Sequence, residues 1–128
     1  MMYSFLLFTV LIGSTISCKC AMHPALSEDF QKTHTIFMGS VVSKSQSPTL
    51  IDAVEYTMKV EEAYKGTSVG AILIVRARVN GASCGIGDIS IGDQWQMWLS
   101  EDGTTNSCTR STSDINENRA ELQQLANQ

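Results

Sequence analysis

Four cysteines constrain the fold of this 128-residue chain more than any other feature of its sequence. Cys18 and Cys20 are separated by one residue, whereas Cys84 and Cys108 lie far along the chain. A bridge between Cys18 and Cys20 would be strained, so each of them should pair with one of the two distant cysteines. Either resulting pairing would tie the start of the domain to its later part, and the sequence alone does not choose between them.

The segment before these cysteines has the features of a secretory signal peptide. Residues 1–17 carry no charged side chain, contain an apolar run over residues 5–12 and end in small or polar residues. Small side chains at the junction favour cleavage after Ser17, so we expect a mature domain of residues 18–128. Export takes the chain into an oxidising environment, where four cysteines in a small domain form two disulfides rather than a metal site. We therefore predict a secreted, extracellular protein with one domain.

The middle of the chain is predicted to form β-strands. Apolar and polar residues alternate over residues 52–64, which predicts a half-buried strand whose inward side chains share one face. These side chains are Val54, Tyr56, Met58 and Val60. A composition rich in β-branched and apolar residues predicts further strands over residues 33–43, 71–79 and 94–99.

A helix is predicted near each end of the mature domain. In residues 25–32, Leu26 and Phe30 are four positions apart and can share a helical face. Towards the C-terminus, Asp114 and Glu117 have the spacing of a capping box, and apolar residues follow at helical intervals. Several short strands with a helix near each end predict a mainly β fold, a small closed sheet of the OB type.

Charge and motif content argue against several functions. A formal net charge of -4 leaves no basic surface for a nucleic-acid backbone or an anionic membrane. An OB-type binder of single-stranded nucleic acid would need a basic groove with stacking aromatics. His23 and His34 form no His-Glu-x-x-His zinc motif, and no serine or cysteine has a recognisable nucleophile context. We expect no enzymatic activity, and we interpret His23, beside Pro24, as a turn residue.

Short motifs distributed along most of the predicted mature chain point to a known family. They are Cys18-Lys19-Cys20, His23-Pro24, Tyr64-Lys65-Gly66 and Cys84-Gly85-Ile86. Together they resemble the N-terminal, netrin-like domain of the tissue inhibitors of metalloproteinases, the TIMPs. The resemblance implies a five-stranded OB-fold barrel with the disulfides Cys18–Cys84 and Cys20–Cys108. The chain lacks cysteines for the family's third bridge and a counterpart of its C-terminal subdomain, and so resembles the short single-domain forms that nematodes secrete.

The resemblance also implies how such a protein acts. TIMPs place the α-amino group and the carbonyl oxygen of their first residue on the zinc of a target protease, and both atoms here belong to Cys18. Lys19 would enter the S1′ pocket of the protease, and Ala82 and Ser83 match a loop that contacts the protease beside it. We therefore predict a monomeric inhibitor of extracellular zinc metalloproteinases that has no cofactor of its own and contacts zinc in trans.

The residue at position 19 also supports an alternative function. The family commonly has Thr or Ser there, and burying the unpaired ammonium group of Lys19 in an apolar pocket costs several kcal/mol. A non-inhibitory netrin-like module that binds another secreted protein would carry the same lysine without this cost. The sequence leaves both functions open.

Overall fold

The computed structural model describes residues 18–128, and the predicted signal peptide lies outside the described residues. The predicted strands are all present, which confirms a mainly β domain. Within this part of the chain, no helix is long and apolar enough to cross a membrane. In chain order the elements are α1 (Leu26–Lys32), β1 (Thr35–Gln46), β2 (Ala53–Lys65), β3 (Ile72–Arg78), the 3-10 helix Gly81–Ser83, β4 (Gln94–Leu99) and α2 (Arg119–Ala126).

The strands form one antiparallel sheet in the order β3-β2-β1-β4. Strand β1 is central and pairs with β2 on one side and β4 on the other, whereas β3 pairs with β2. Two isolated bridges join Arg76 of β3 to Thr104 and Gln96 of β4 to Thr112. Over the described residues, the four strands therefore make an open sheet whose outer strands are each contacted by later loop segments.

One face of the sheet carries the larger hydrophobic core. The alternation predicted for β2 is observed, because Tyr56, Met58 and Val60 are fully buried and Val54 packs against them. The face of β2 that the alternation of apolar and polar residues predicted to be inward is therefore the buried face. The other strands and the loop before β4 complete this core with Phe37, Val41, Val75, Ala77, Ile89, Met97 and Leu99.

The second core lies where the two helices pack on the sheet. Leu122 of α2 is fully buried in it, and Leu26 and Phe30 of α1 pack at its edge, as their spacing predicted. The buried Gln96 side chain is satisfied, because its Oε1 accepts a hydrogen bond from Trp98 Nε1 at 2.8 Å. The helices thus cover apolar side chains of β1, β2 and β4, namely Ile36, Met38, Tyr64 and Trp98.

Strand β1 extends to Gln46 rather than ending at residue 43 as predicted, because residues 44–46 pair with β2. The close approach of the two strands also explains a glycine in β1. A Cβ atom at Gly39 would lie 2.4 Å from the Lys59 carbonyl oxygen of β2. A larger residue there would therefore force the strands apart.

The prediction of a C-terminal capping box is wrong. Asp114 is instead the first residue of a separate turn. Its Oδ1 accepts a hydrogen bond from Asn116 N, and its carbonyl oxygen accepts one from Glu117 N, both at 3.1 Å. Helix α2 begins only at Arg119, after Asn118 in a left-handed conformation with φ 57°. Aspartate side chains compete for local backbone N–H groups in this way, so the same spacing fits a turn or a cap.

Candidate functional site

Two disulfides join the start of the described chain to two later loops. Cys18 is bonded to Cys84 and Cys20 to Cys108, with Cα–Cα distances of 5.0 and 5.2 Å. This is the pairing that the resemblance implied. The two bridges lie against each other, because Cys18 Sγ is 3.6 Å from Cys108 Sγ. We call the surface that they connect the disulfide ridge, defined by residues 18–20, 82–84 and 106–108.

A 3-10 turn forms the middle part of the ridge. The Asn80 side-chain oxygen accepts a hydrogen bond from Ala82 N at 2.9 Å, which caps the turn. Cys84 ends the turn in a left-handed conformation with φ 63°. A Cβ atom on the following Gly85 would lie 2.5 Å from a carbonyl oxygen at the end of β3, so only glycine fits this close approach. The turn therefore packs closely against the end of β3, and its residues Ala82 and Ser83 are exposed.

The third part of the ridge is connected to the second through the backbone. Ser107 N donates a hydrogen bond to the Cys84 carbonyl oxygen at 2.9 Å. The Asn106 side-chain oxygen accepts one from Cys108 N at 2.8 Å, which fixes the turn that carries this cysteine. The Ser107 hydroxyl also lies 3.7 Å from Cys18 Sγ. The two loops therefore contact each other independently of the disulfides.

The residues predicted to contact a protease all lie on this ridge. Lys19, Ala82 and Ser83 are exposed, and Cys18 is half-buried. Lys19 stands between two bridged cysteines, so its backbone is held on both sides. Ala82 and Ser83 immediately precede Cys84, whose disulfide holds Cys18 beside their turn. The Cys18–Cys84 bridge, which spans 66 positions, thus brings Cys18 and Lys19 to the same surface as Ala82 and Ser83.

Two side chains that the sequence analysis did not assign to the site support the chain just after Cys20. The His23 imidazole donates from Nε2 to the Cys108 carbonyl oxygen at 2.9 Å. Arg110 donates to the Pro24 carbonyl oxygen at 2.6 Å and to Asp29 Oδ2 at 2.7 Å, and its guanidinium lies 5.8 Å from the centre of the Trp98 ring. The His23-Pro24 motif was a signal for the first contact, whereas nothing in the sequence marked Arg110.

Two cavities flank the ridge. The larger, of about 590 Å³, lies between α1, the end of β4 and the loop at Cys108, and its lining includes His23, His34, Lys65 and Glu101. The Arg110–Asp29 ion pair also lines it. The smaller, of about 180 Å³, is bounded by the ridge and the end of β3, with the lining residues Leu50, Arg76, Ala77, Arg78, Ser83, Cys84, Thr104, Thr105 and Asn106.

The sulfur atoms of the ridge are close enough to suggest a metal site. Those of Cys18, Cys20 and Cys108 lie within 4.8 Å of one another. All four cysteines of the described chain are in disulfides, however, and a disulfide sulfur is not a thiolate ligand. In the oxidised protein the cysteine sulfur atoms of the ridge are therefore not metal ligands.

The fold and the site define a small, disulfide-linked, mainly β domain with an exposed ridge at the start of the described chain. Comparison with protein-family models found no match for the chain, and comparison with curated proteins found none either.

Proposed function

We propose that this protein is a secreted, TIMP-like inhibitor of zinc metalloendopeptidases that docks the disulfide ridge in the active site of its target. The observation that carries the proposal is the double attachment of the Cys18-Lys19-Cys20 segment to two later loops. The motifs that resemble the TIMP N-terminal domain support it, because they include three of the four bridged cysteines, Cys18, Cys20 and Cys84. The two disulfides are compatible with an extracellular location.

Inhibition would use the backbone of Cys18 rather than its sulfur. A catalytic zinc ion has three protein ligands and an open position for the attacking water. After cleavage behind Ser17, the α-amino nitrogen of Cys18 would take that position, and its carbonyl oxygen would add a fifth ligand. A free α-amino group has a pKa of about 7.7 to 8.0, so deprotonation for zinc binding costs little near neutral pH. A ligand already held in its bound conformation also loses less entropy on docking.

The fold proposed for this function is a closed five-stranded OB barrel of the netrin type. Its support is the segment after β4, which returns to the far edge of the sheet. Arg76 N of β3 donates to the Gly103 carbonyl oxygen at 3.0 Å, and Thr105 N donates to the Arg76 carbonyl oxygen at 3.0 Å. These bonds join β3 to the segment that directly follows β4, which is where a fifth strand would close the barrel.

Lys19 would select among target proteases. Its side chain is exposed on the ridge, next to the atoms proposed to bind zinc. A deep apolar S1′ pocket would have to desolvate the ammonium group without a partner, whereas a pocket with a carboxylate at its rim would pair with it. The same exposed lysine favours the alternative function, a netrin-like module that binds a secreted protein without inhibiting a protease.

The test uses refolded protein that begins at Cys18 and a control with one alanine added before it. Both are titrated against a panel of zinc metalloproteinases, after mass spectrometry has verified intact disulfides. We expect inhibition by the first form and a loss of at least 100-fold in the second, about 3 kcal/mol of binding, because an amide nitrogen cannot ligate zinc in the same way.

A third variant tests the side chain of Lys19 separately from the free α-amino group of Cys18. Lys19→Thr should widen inhibition to proteases with apolar S1′ pockets. If Cys18-initiated protein and Lys19→Thr both leave every protease active, the inhibitor function is wrong and the binding-module function replaces it. If the alanine-extended form inhibits equally well, the protein inhibits without the proposed zinc contact.

A further inference from the structure

The smaller of the two cavities beside the disulfide ridge differs in charge from the chain as a whole. Its volume is about 180 Å³, and its lining includes two arginines, Arg76 and Arg78. Within the described residues, no aspartate or glutamate lines it. The whole chain, in contrast, has a formal net charge of -4. A positively charged cavity in an acidic chain attracts a negatively charged group.

The two arginines of this cavity have different partners. Arg76 Nε donates to Glu55 Oε2 at 2.8 Å, so the charge of Arg76 is paired. Arg78 is half-buried and donates from Nη1 to the Ile51 carbonyl oxygen at 2.9 Å. In the part of the chain that the structure describes, Arg78 has no carboxylate partner. The bond to Ile51 therefore holds a guanidinium group whose other N–H groups are available to a ligand.

Asn106 adds further hydrogen-bond donors to the same cavity. Its side-chain oxygen accepts a hydrogen bond from Cys108 N at 2.8 Å, which fixes the orientation of the amide. Among residues 18–128, its side-chain nitrogen has no hydrogen-bond partner. Arg78 at the end of β3 and Asn106 on the ridge thus line one cavity from two segments. A guanidinium group and an amide nitrogen together suit the two oxygen atoms of a carboxylate.

The size and the place of the cavity indicate where the carboxylate comes from. Pockets for whole small-molecule ligands have volumes of about 300 to 1,000 Å³, so this smaller cavity suits a single side chain. Ser83 and Cys84 line it, and Cys84 is bonded to Cys18. A stable protein–protein interface contains about 20 to 30 residues on each side, far more than the ridge contains. A protein docked on the ridge therefore extends onto the neighbouring surface, where this cavity lies.

We infer that this cavity binds the carboxylate of an acidic side chain on the protein that docks on the disulfide ridge. Arg78 forms the ion pair, and Asn106 donates a further hydrogen bond. The inference rests on the proposed function in that the ridge is the docking surface, but it does not require the partner to be a protease. Such a contact selects for partners that carry an acidic residue beside the surface that the ridge covers.

The first experiment tests the cavity without a partner. Acetate is titrated into isotope-labelled protein that begins at Cys18, with the ionic strength kept constant by sodium chloride, and NMR spectra are recorded. We expect saturable shifts of the Arg78 Nε–H signal and the Asn106 side-chain amide signals. Arg78→Gln should weaken acetate binding at least tenfold. The matched control Lys59→Gln removes the same charge from an exposed position of β2 and should bind like the wild type.

A second variant tests the cavity from its other side. Asn106→Asp keeps an oxygen atom that can accept the hydrogen bond from Cys108 N, so the turn should be retained. It also places a carboxylate in the cavity, so acetate binding should be lost while the signals of the sheet stay unchanged. Absence of saturable shifts in the wild type, or equal acetate binding by Asn106→Asp, would overturn the inference. Tighter binding of inorganic phosphate than of acetate would also overturn it.

The second experiment measures inhibition of the same panel of zinc metalloproteinases. For the protease that the wild type inhibits most strongly, Arg78→Gln should weaken inhibition at least tenfold, whereas Lys59→Gln should leave it unchanged. Equal inhibition by Arg78→Gln and the wild type would overturn the inference, although the proposed function would stand. If the wild type inhibits no protease, the proposed function fails, and the acetate titration alone decides whether the cavity binds a carboxylate.

Discussion

At the scale of single residues, Glu62 is the carboxylate that connects α2 to the sheet. It accepts hydrogen bonds from Arg119 at 2.6 and 3.1 Å, from the Tyr64 hydroxyl at 2.6 Å and from Gln123 at 2.9 Å. The Arg119 hydrogen bonds are the largest cause that lowers the pKa of Glu62 to about 2, with smaller contributions from Tyr64 and Gln123. Burial, together with the bond to this carboxylate, raises the pKa of Tyr64.

Replacing this carboxylate should weaken the domain in a pH-dependent way. Glu62→Gln should lower the free energy of unfolding by about 1 to 3 kcal/mol near neutral pH, because it removes charge-assisted hydrogen bonds. The pKa of Glu62 is depressed in the folded state, so its contribution is present above its ordinary pKa of 4.5 and is lost as the pH falls towards about 2. Urea unfolding at about pH 7 and about pH 3 should show a smaller difference between variant and wild type at the lower pH.

The control is Glu101→Gln, which neutralises an exposed carboxylate in the turn after β4. Its free energy of unfolding should stay within about 0.5 kcal/mol of wild type at both pH values. A Glu62→Gln deficit that is the same at both pH values would show that the charge of Glu62 contributes nothing.

At the scale of elements, Arg110 fastens α1 and the N-terminal segment to the loop after β4. Arg110→Ala removes its ion pair with Asp29 and its bond to the Pro24 carbonyl oxygen. Both partners of the ion pair are mostly buried, so we expect a loss of about 2 kcal/mol in the free energy of unfolding. Hydrogen exchange should become faster in residues 20–33, because this segment then has fewer contacts with the rest of the domain.

Arg78→Ala is the matched control for this prediction. Arg78 is also an arginine that donates to a backbone carbonyl, that of Ile51, but it lies at the end of β3. Its loss should leave exchange in residues 20–33 unchanged. Equal protection of that segment in Arg110→Ala and wild type would show that the other contacts of the helix hold it, among them the bonds from Lys65 Nζ to the Phe30 and Gln31 carbonyl oxygens.

The elements differ in how well the sequence predicts them. Strand β2 was predicted to within a residue at each end. Tyr56, Met58 and Val60 are all buried on one face, and a strand buried on one face has alternating apolar and polar residues in its sequence. The start of α2 was missed because Asp114 can bond its own turn as readily as a helix. A local pattern reports burial well, whereas it does not decide between competing hydrogen bonds.

At the scale of the whole molecule, the candidate site depends on contacts between distant parts of the chain. The sequence limited Cys18 and Cys20 to two possible pairings, and the resemblance chose between them. Nothing local could reveal that His23 and Arg110 support the same segment, because their partners lie 85 and 86 positions away. The residues of the ridge were therefore predictable as separate motifs, but the contacts that hold them together were not.

The two disulfides span overlapping loops, and this overlap sets their joint effect on stability. The bridges span 66 and 88 positions, and each closed alone would stabilise the domain by roughly 4 to 5 kcal/mol in the chain-entropy model. When one bridge is already closed, the shortest path along the chain between the other two cysteines crosses that bridge. Closing the second bridge then forms a loop of only roughly 25 residues. Its additional effect is then smaller by about 1 kcal/mol.

Removing the bridges one at a time should therefore give nearly equal losses despite their different spans. The paired variants Cys18→Ser with Cys84→Ser, and Cys20→Ser with Cys108→Ser, should each lose about 3 to 4 kcal/mol, and each serves as the control for the other. Urea unfolding under non-reducing conditions measures both losses. The logarithmic dependence on loop length keeps the difference between them under about 0.5 kcal/mol. A loss confined to one pair would mean that the other bridge adds only local rigidity to the ridge, because the rest of the fold already holds its two ends together.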